Sequence, residues 1–153
     1  MAERDINQAI IEDLYAEALL LADDARAVFG LRMNAEDELG SDALRMALSI
    51  EGLRTTTRVM HVLAWLLNQR AFLAGELSQR QMHRHTNLPE ERPSDPRNLA
   101  VLEPETRTLI RETEDLHARV ARLDREMRRD SESAVAPVQA LQDRLASAFS
   151  EPR

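Results

Sequence analysis

Residues 51–75 read EGLRTTTRVMHVLAWLLNQRAFLAG. Apolar side chains crowd the positions from Val59 to Leu67, yet the stretch opens on three threonines between two arginines. Wound at about 100° per residue, it shows two apolar stripes. One is Ile50, Leu53, Thr57, Met60, Ala64, Leu67 and Ala71; the other is Leu44, Leu48, Thr55, Val59, Leu63 and Leu66. Two adjacent stripes call for two helical neighbours, so this segment is expected to be the central helix of a bundle. The threonines fit that place without any chemistry, since a hydroxyl can bond back to a carbonyl one turn earlier where helices come close.

Working outward, Ser41 is a good N-cap and Gly75 a good stop, so the central helix should run from about Ser41 to Ala74. At that length it spans on the order of 50 Å and needs neighbours throughout. Upstream, Ile6, Ile10, Leu14, Ala18, Leu21, Ala25 and Val28 recur in steps of three or four, one face of a first helix. Gly30 sits where its left-handed cap would fall, and residues 31–40 should connect. Downstream, Ser78 and Gln81 have capping-box spacing for a short turn. Prolines at 89, 93, 96 and 104 then mark a long, largely extended crossing, with Pro104 opening a third helix. Its seam is Leu109, Thr113, Leu116, Val120, Leu123 and Met127, a four-three alternation like a coiled coil. Beyond Asp130, SESAVAP reads as linker, followed by a weak amphipathic helix on Val138, Leu141, Leu145 and Phe149. The expected architecture is all-α: an elongated three-helix bundle over residues 1–130 with a long central helix, a Pro-rich crossing between helices two and three, and a flexible C-terminal tail over 131–153.

Composition narrows the function. All 20 basic residues are arginine and cysteine is absent, so lysine Schiff bases, phosphate-loop lysines and thiol chemistry are excluded. No glycine-rich phosphate cradle and no Gly-x-Ser-x-Gly elbow occurs. Glu114 and His117 form one Glu-x-x-His step, but a di-iron bundle needs two. Arg58 and Arg80 stand where the second glutamate would precede His61 or His83. His83 and His85 lie among arginines, poor company for a metal. No enzyme, cofactor or metal is expected. The balance of charge is −8 over residues 1–53, +3 over 54–97 and −2 over 98–153; the acidic first third argues against nucleic acid. The longest apolar run, residues 62–67, falls far short of the roughly 20 a membrane helix needs, and a cytoplasmic protein is expected.

The third face of the central helix carries Arg54, Arg58, His61, Trp65, Asn68, Gln69 and Phe72. If the two apolar stripes are covered, this strip looks outward, and an exposed Trp among arginines has the makeup of a protein-binding hot spot. The bland alternative is that Trp65 closes the bundle's edge while arginines pair with acids of helix one. A third possibility is an anion or ligand pocket at Arg54, Thr57, Arg58 and His61.

The run Leu53-Arg54-Thr55-Thr56-Thr57-Arg58-Val59-Met60, then Trp65-Leu66-Leu67, Gln69-Arg70-Ala71 and Gly75-Glu76, resembles the RcdA family, the regulators of CtrA degradation. Leu109-Ile110 and LHARVARLD at residues 116–124 are similar to that family's third helix. Thr55 departs from it, standing where an apolar residue is the family's habit. The resemblance implies a homodimeric, non-enzymatic adaptor that delivers regulatory proteins to the ClpXP protease in bacterial cell-cycle control. It would act on protease primed by the response regulator CpdR, handing over cargo directly or through a further adaptor such as PopA, with recruitment to the cell pole. Tethering alone suffices for such a role, because it raises the local cargo concentration, to about millimolar with a short linker. The rival classes are a scaffolding homodimer and an anion- or ligand-sensing bundle.

Overall fold

The structure, a computed structural model, describes residues 2–39, 41–85 and 87–150; for residues 2–4, 33–39, 83, 85, 134–136 and 148–150 only the backbone is described. Among these residues there are five helices and no strand: α1 Ala2–Leu39, α2 Asp42–Leu73, α3 Gln79–His85, α4 Pro96–Val101 and α5 Pro104–Ser150. The chain is an all-α bundle, as its hydrophobic periodicity requires. It divides into two compact units, Met1–Val120 and Ala121–Arg153, with α5 running through the boundary.

Local chemistry sets most helix ends. Ser41 caps α2, its hydroxyl accepting from the Leu44 N–H at 3.2 Å, and Asp42 occupies the positive first turn. At the other end Gly75 takes φ +79°. The Glu76 N–H reaches the Ala71 carbonyl at 2.9 Å and the Gly75 N–H the Phe72 carbonyl at 3.0 Å. Those two bonds are a Schellman cap, which a residue bearing Cβ would strain. Ser78 and Gln81 cap α3 reciprocally, at 2.8 Å from the Ser78 N–H to Gln81 and 3.4 Å in return. Asp95 caps α4, accepting from the Arg97 N–H at 2.9 Å, with Pro96 in the first turn. This helix interrupts the largely extended crossing that was expected: residues 87–95 are without regular structure, and Asp-Pro there is a helix start.

Two further boundaries differ from expectation. Gly30 does not end α1, which continues to Leu39. Residues 31–39 contain Leu, Arg, Met, Ala and Glu, all good helix formers, and Arg32 ties the extension to Glu103 and, at 3.7 Å, Glu105. Nor is SESAVAP a linker, because α5 continues to Ser150 through Pro137. Glu132, Ala134 and Ala136 favour helix and no glycine interrupts them, so the one hydrogen bond Pro137 withholds is tolerated. On this stretch Val138, Leu141 and Leu145 are each about half exposed; the Phe149 side chain lies outside the described residues.

Within the first unit α1 and α2 are antiparallel. Arg70 donates to Glu12 at 2.7 Å and lies 4.4 Å over the Tyr15 ring, while at the far end the Phe29 ring sits against Gly52. A Cβ on Gly52 would meet that ring at 3.0 Å, so glycine is what lets the phenyl group lie flat against α2. The start of α5 runs antiparallel to α1, through Arg119 with Glu17 and Arg32 with Glu103, and hence parallel to α2. The crossing exists to return the chain for that parallel pairing. The buried face of α1 is Ile11, Leu14, Ala18, Leu21, Ala25 and Phe29, and α5 supplies Leu109, Ile110, Leu116 and Val120. Ile6 and Ile10 are exposed and Val28 half-buried, so the expected α1 seam is right at its middle and wrong at both ends. Each fully buried Leu or Ile contributes about 1.5–3 kcal/mol.

α2 holds the largest correction. The stripe of Leu48, Val59 and Leu66 is buried, but Ile50, Leu53, Met60 and Leu67 face solvent, Leu53 70% and Met60 61% exposed. The second neighbour covers a different row: Glu51, Thr55, Arg58, Val62, Trp65 and Gln69, all buried in steps of four and three. Thr55 is fully buried, yet its hydroxyl has no hydrogen-bond partner among the described residues. The expected back-bond to a preceding carbonyl is made instead at Thr108 and Thr113, at 2.9 and 2.7 Å. A buried hydroxyl without a partner costs about 1–3 kcal/mol. Thr55→Val, which keeps the shape and removes that cost, should therefore stabilise the fold by about 1 kcal/mol or more, read as a higher urea midpoint at unchanged m-value.

Candidate functional site

The buried polar row of α2 is centred on Arg58, 2% exposed. A guanidinium so enclosed needs acceptors around its planar fork. Four are supplied from outside α2. Nε donates to Glu91, and Nη1 to Thr113 Oγ1 at 2.9 Å. Nη2 donates to the Arg92 carbonyl and to Glu114 Oε1, each at 3.4 Å. Two of these partners, Glu91 and Arg92, lie on the strap, residues 87–95. The strap is therefore held by a charge rather than by apolar packing.

Its other fastenings follow the same principle. His117 on α5 places Nδ1 3.2 Å from Glu91 Oε2 and Nε2 3.2 Å from the Pro89 carbonyl. Both contacts are to acceptors, so only the imidazolium donates to both. The Ser94 N–H donates to Glu114 at 3.2 Å. At the strap's end Glu51, fully buried on α2, accepts through Oε1 from Arg54 at 2.7 Å, from Asn98 at 2.9 Å and from the Asp95 N–H at 3.1 Å. Burial alone would raise the Glu51 carboxyl; the bonds from Asn98 and Asp95 and the charge of Arg54 outweigh it and hold the group below its ordinary value of 4.5. Glu91 goes the other way. Burial pushes it up, and the opposing charges of Arg58 and His117 only partly offset that.

Of the seven α2 residues expected on an outward strip, Arg58, Trp65 and Gln69 are buried, Trp65 to 2% exposure, while Arg54, His61, Asn68 and Phe72 are half-buried. The strip does not look outward as a whole, and Trp65 is not exposed. The reason is the polar cover: with strap and α5 supplying acceptors for Arg58, the row carrying Trp65 can turn inward. Glu51, Glu91 and Asn98 belong to the network and were missed, although Glu51 lies one turn before Thr55 in the same four-three row. Glu114 and His117, the Glu-x-x-His step, serve Arg58 and the strap. Among the described residues no cluster of three His, Cys, Asp or Glu could hold a metal ion.

A cavity of about 420 Å³ opens beside the network, within the range of small-ligand sites. Arg54, Thr57, Arg58 and His61 line its α2 wall, with Ile50 and Leu53 at its rim; the strap and His117 close the other side. The four residues proposed for a ligand pocket thus do meet around one space.

Fold and site together define a helical bundle whose working features are a strapped ionic network, a cavity and an exposed apolar helix face. The chain belongs to the family described as "Protein of unknown function (DUF1465)", whose profile matches residues 2–149. No curated protein and no solved structure matches it. No helix among the described residues is long and apolar enough to cross a membrane.

Arg58→Ala strands the carboxylates of Glu91 and Glu114 and should cost about 3–5 kcal/mol, the usual penalty for breaking a buried pair from one side. Urea denaturation reads the loss, and limited proteolysis should show new cleavage between residues 89 and 95. Glu51 yields a pH prediction. Because its folded-state value is depressed, its contribution is present above 4.5 and lost as pH falls through the folded value. Glu91, raised, has the opposite sign: its contribution is present below 4.5 and lost as pH rises through the folded value. Glu51→Gln should therefore lower stability at neutral pH by about 1.5–3 kcal/mol. It should also lose less than the parent chain between about pH 6 and about pH 3, compared by urea midpoints at each pH.

Proposed function

We propose that this chain is a non-enzymatic adaptor of the RcdA type, delivering regulatory proteins to the ClpXP protease in bacterial cell-cycle control. The sequence likeness over residues 53–76 and 109–124 supports the assignment. The observation that carries it is the exposed side of α2. Met46, Ile50, Leu53, Met60 and Leu67, with Thr57 and Ala64 between them, follow a strict four-three alternation on solvent-facing positions. That is the seam of a helix that packs against another. A large apolar row left open on a folded unit marks a protein contact.

In this reading the docking surface is this seam rather than the strip carrying Trp65. A self-complementary row of this kind suits a second copy of the chain about a two-fold axis, which gives the homodimer. Val138, Leu141 and Leu145, exposed on the far stretch of α5, form a separate apolar row for the primed protease, its CpdR partner, cargo or a further adaptor such as PopA. Such an arrangement needs no reacting group. It works by holding weakly bound proteins near one another.

Reconstituted proteolysis tests the proposal, with ClpXP, CpdR and a candidate cargo, with and without this chain. The full chain should accelerate cargo loss. Leu53→Asp combined with Met60→Asp should keep its helical circular dichroism while delivery falls at least roughly tenfold, the cost of about 1.4 kcal/mol at a hot spot. Delivery untouched by the double substitution would reject the seam. A dimer abolished in sedimentation, with no cargo accelerated by even the parent chain, would favour a scaffold instead.

A further inference from the structure

The cavity beside the strap has its own chemistry; it borders the proposed seam, sharing Ile50 and Leu53 with it, while Arg92 and His61 lie outside that seam. Its back wall is committed. Arg58 spends four of its five N–H groups within the network, Glu91 is held by Arg58 and His117, and both nitrogens of His117 are engaged. What remains free is mostly donors. Arg54 uses Nη1 on Glu51 and has its other N–H groups uncommitted. The Arg92 guanidinium, the His61 ring and the Thr57 hydroxyl line the space without a hydrogen bond or ion pair among the described residues. Glu90 is the one lining carboxylate left uncommitted, and it is exposed. At the mouth stand Ile50 and Leu53, apolar and open to solvent.

Two guanidinium forks and an imidazole lining one cavity beside an aliphatic rim select an anion joined to an apolar body. The count of charges narrows the anion. Among the lining residues three arginines stand against two glutamates, a net formal charge of +1 that a monoanion neutralises and a dianion overshoots. A planar carboxylate also matches the arginine fork in a bidentate way. We infer that this cavity binds a carboxylate carried on an apolar group, its charge read by Arg54, Arg92 and His61 and its apolar part seated against Ile50 and Leu53. The carboxylate could belong to a free organic acid or to the end of a peptide chain; the recognition chemistry is the same for both.

The test is titration of the full chain, followed by amide chemical shifts, with 3-phenylpropionate, its amide and phenyl phosphate. A second arm uses N-acetyl-Ala-Ala-Leu with a free carboxylate and the same peptide amidated. Each acid that binds should shift amides of residues 50–61 and 90–92, with its amide at least roughly tenfold weaker. Arg92→Gln, which keeps the backbone carbonyl that Arg58 uses, and His61→Gln should each weaken binding several-fold with the fold unchanged by circular dichroism. Tighter binding by the small acid assigns a free ligand, tighter binding by the peptide a chain end, and either supports the site. The inference is overturned if neither acid binds at about 10 mM, well above the weakest affinity such a site would have, or if acid and amide bind alike. It is equally overturned if phenyl phosphate outcompetes the carboxylate, or if both substitutions leave binding intact.

Discussion

Arg58 is a full charge taken out of water in the middle of the longest packed face of α2, and the arrangement of the first unit follows from satisfying it. An unpaired guanidinium at 2% exposure would be untenable. Its four acceptors come from the strap and from α5, so pairing the charge also brings these two parts onto α2. The strap has no regular structure and little apolar surface of its own, and cannot dock by hydrophobic burial. Ionic fastening at Glu91 and His117, and at its far end Glu51 with Asp95 and Asn98, takes the place of a core. Buried ion pairs add little net stability compared with apolar packing, yet breaking one from one side is costly. They therefore specify where a segment lies more than they strengthen the fold.

The same network explains why α2 presents an apolar row to solvent. A helix has room for two packed neighbours on about half its circumference. One side is taken by α1, which meets α2 at Gly52 and Arg70, and the next by the strap, α4 and α5, which meet it at Glu51 and Arg58. Ile50, Leu53, Met60 and Leu67 are left over. Had a helix been packed on them instead, Arg58 and Glu51 would have pointed outward and the strap would have had nothing to hold. The cavity lies on the line between these two arrangements, with a polar inner wall from the network and an aliphatic rim from the seam.

Much of this was legible beforehand where a feature is local. Ser41, Gly75, Ser78 and Pro104 each mark a helix end through bonds within a few residues, and the structure places them there. The four-three rows on α1 and α5 identify helices because burial repeats with the helical turn. Errors came where the deciding contact is distant. Gly30 permits a cap but does not compel one, and the helix formers after it, with Arg32 reaching Glu103, carry α1 on. Trp65 was expected outside because its strip is the face left over once the two apolar stripes are covered. Nothing near it in the chain announces that Glu91, some thirty residues on, neutralises Arg58.

From the sequence by itself come the helical class, the central place of α2, most helix ends, and the absence of lysine and cysteine chemistry. These depend on composition and on periodicity within single segments, where the backbone's own geometry does the sorting. Only the tertiary structure decided which of the α2 rows is buried, how the strap is held, and that Arg54, Thr57, Arg58 and His61 share a cavity. Those outcomes turn on which acceptors reach a charge across the fold, and a helical wheel shows only that a charge is present, never what will stand opposite it.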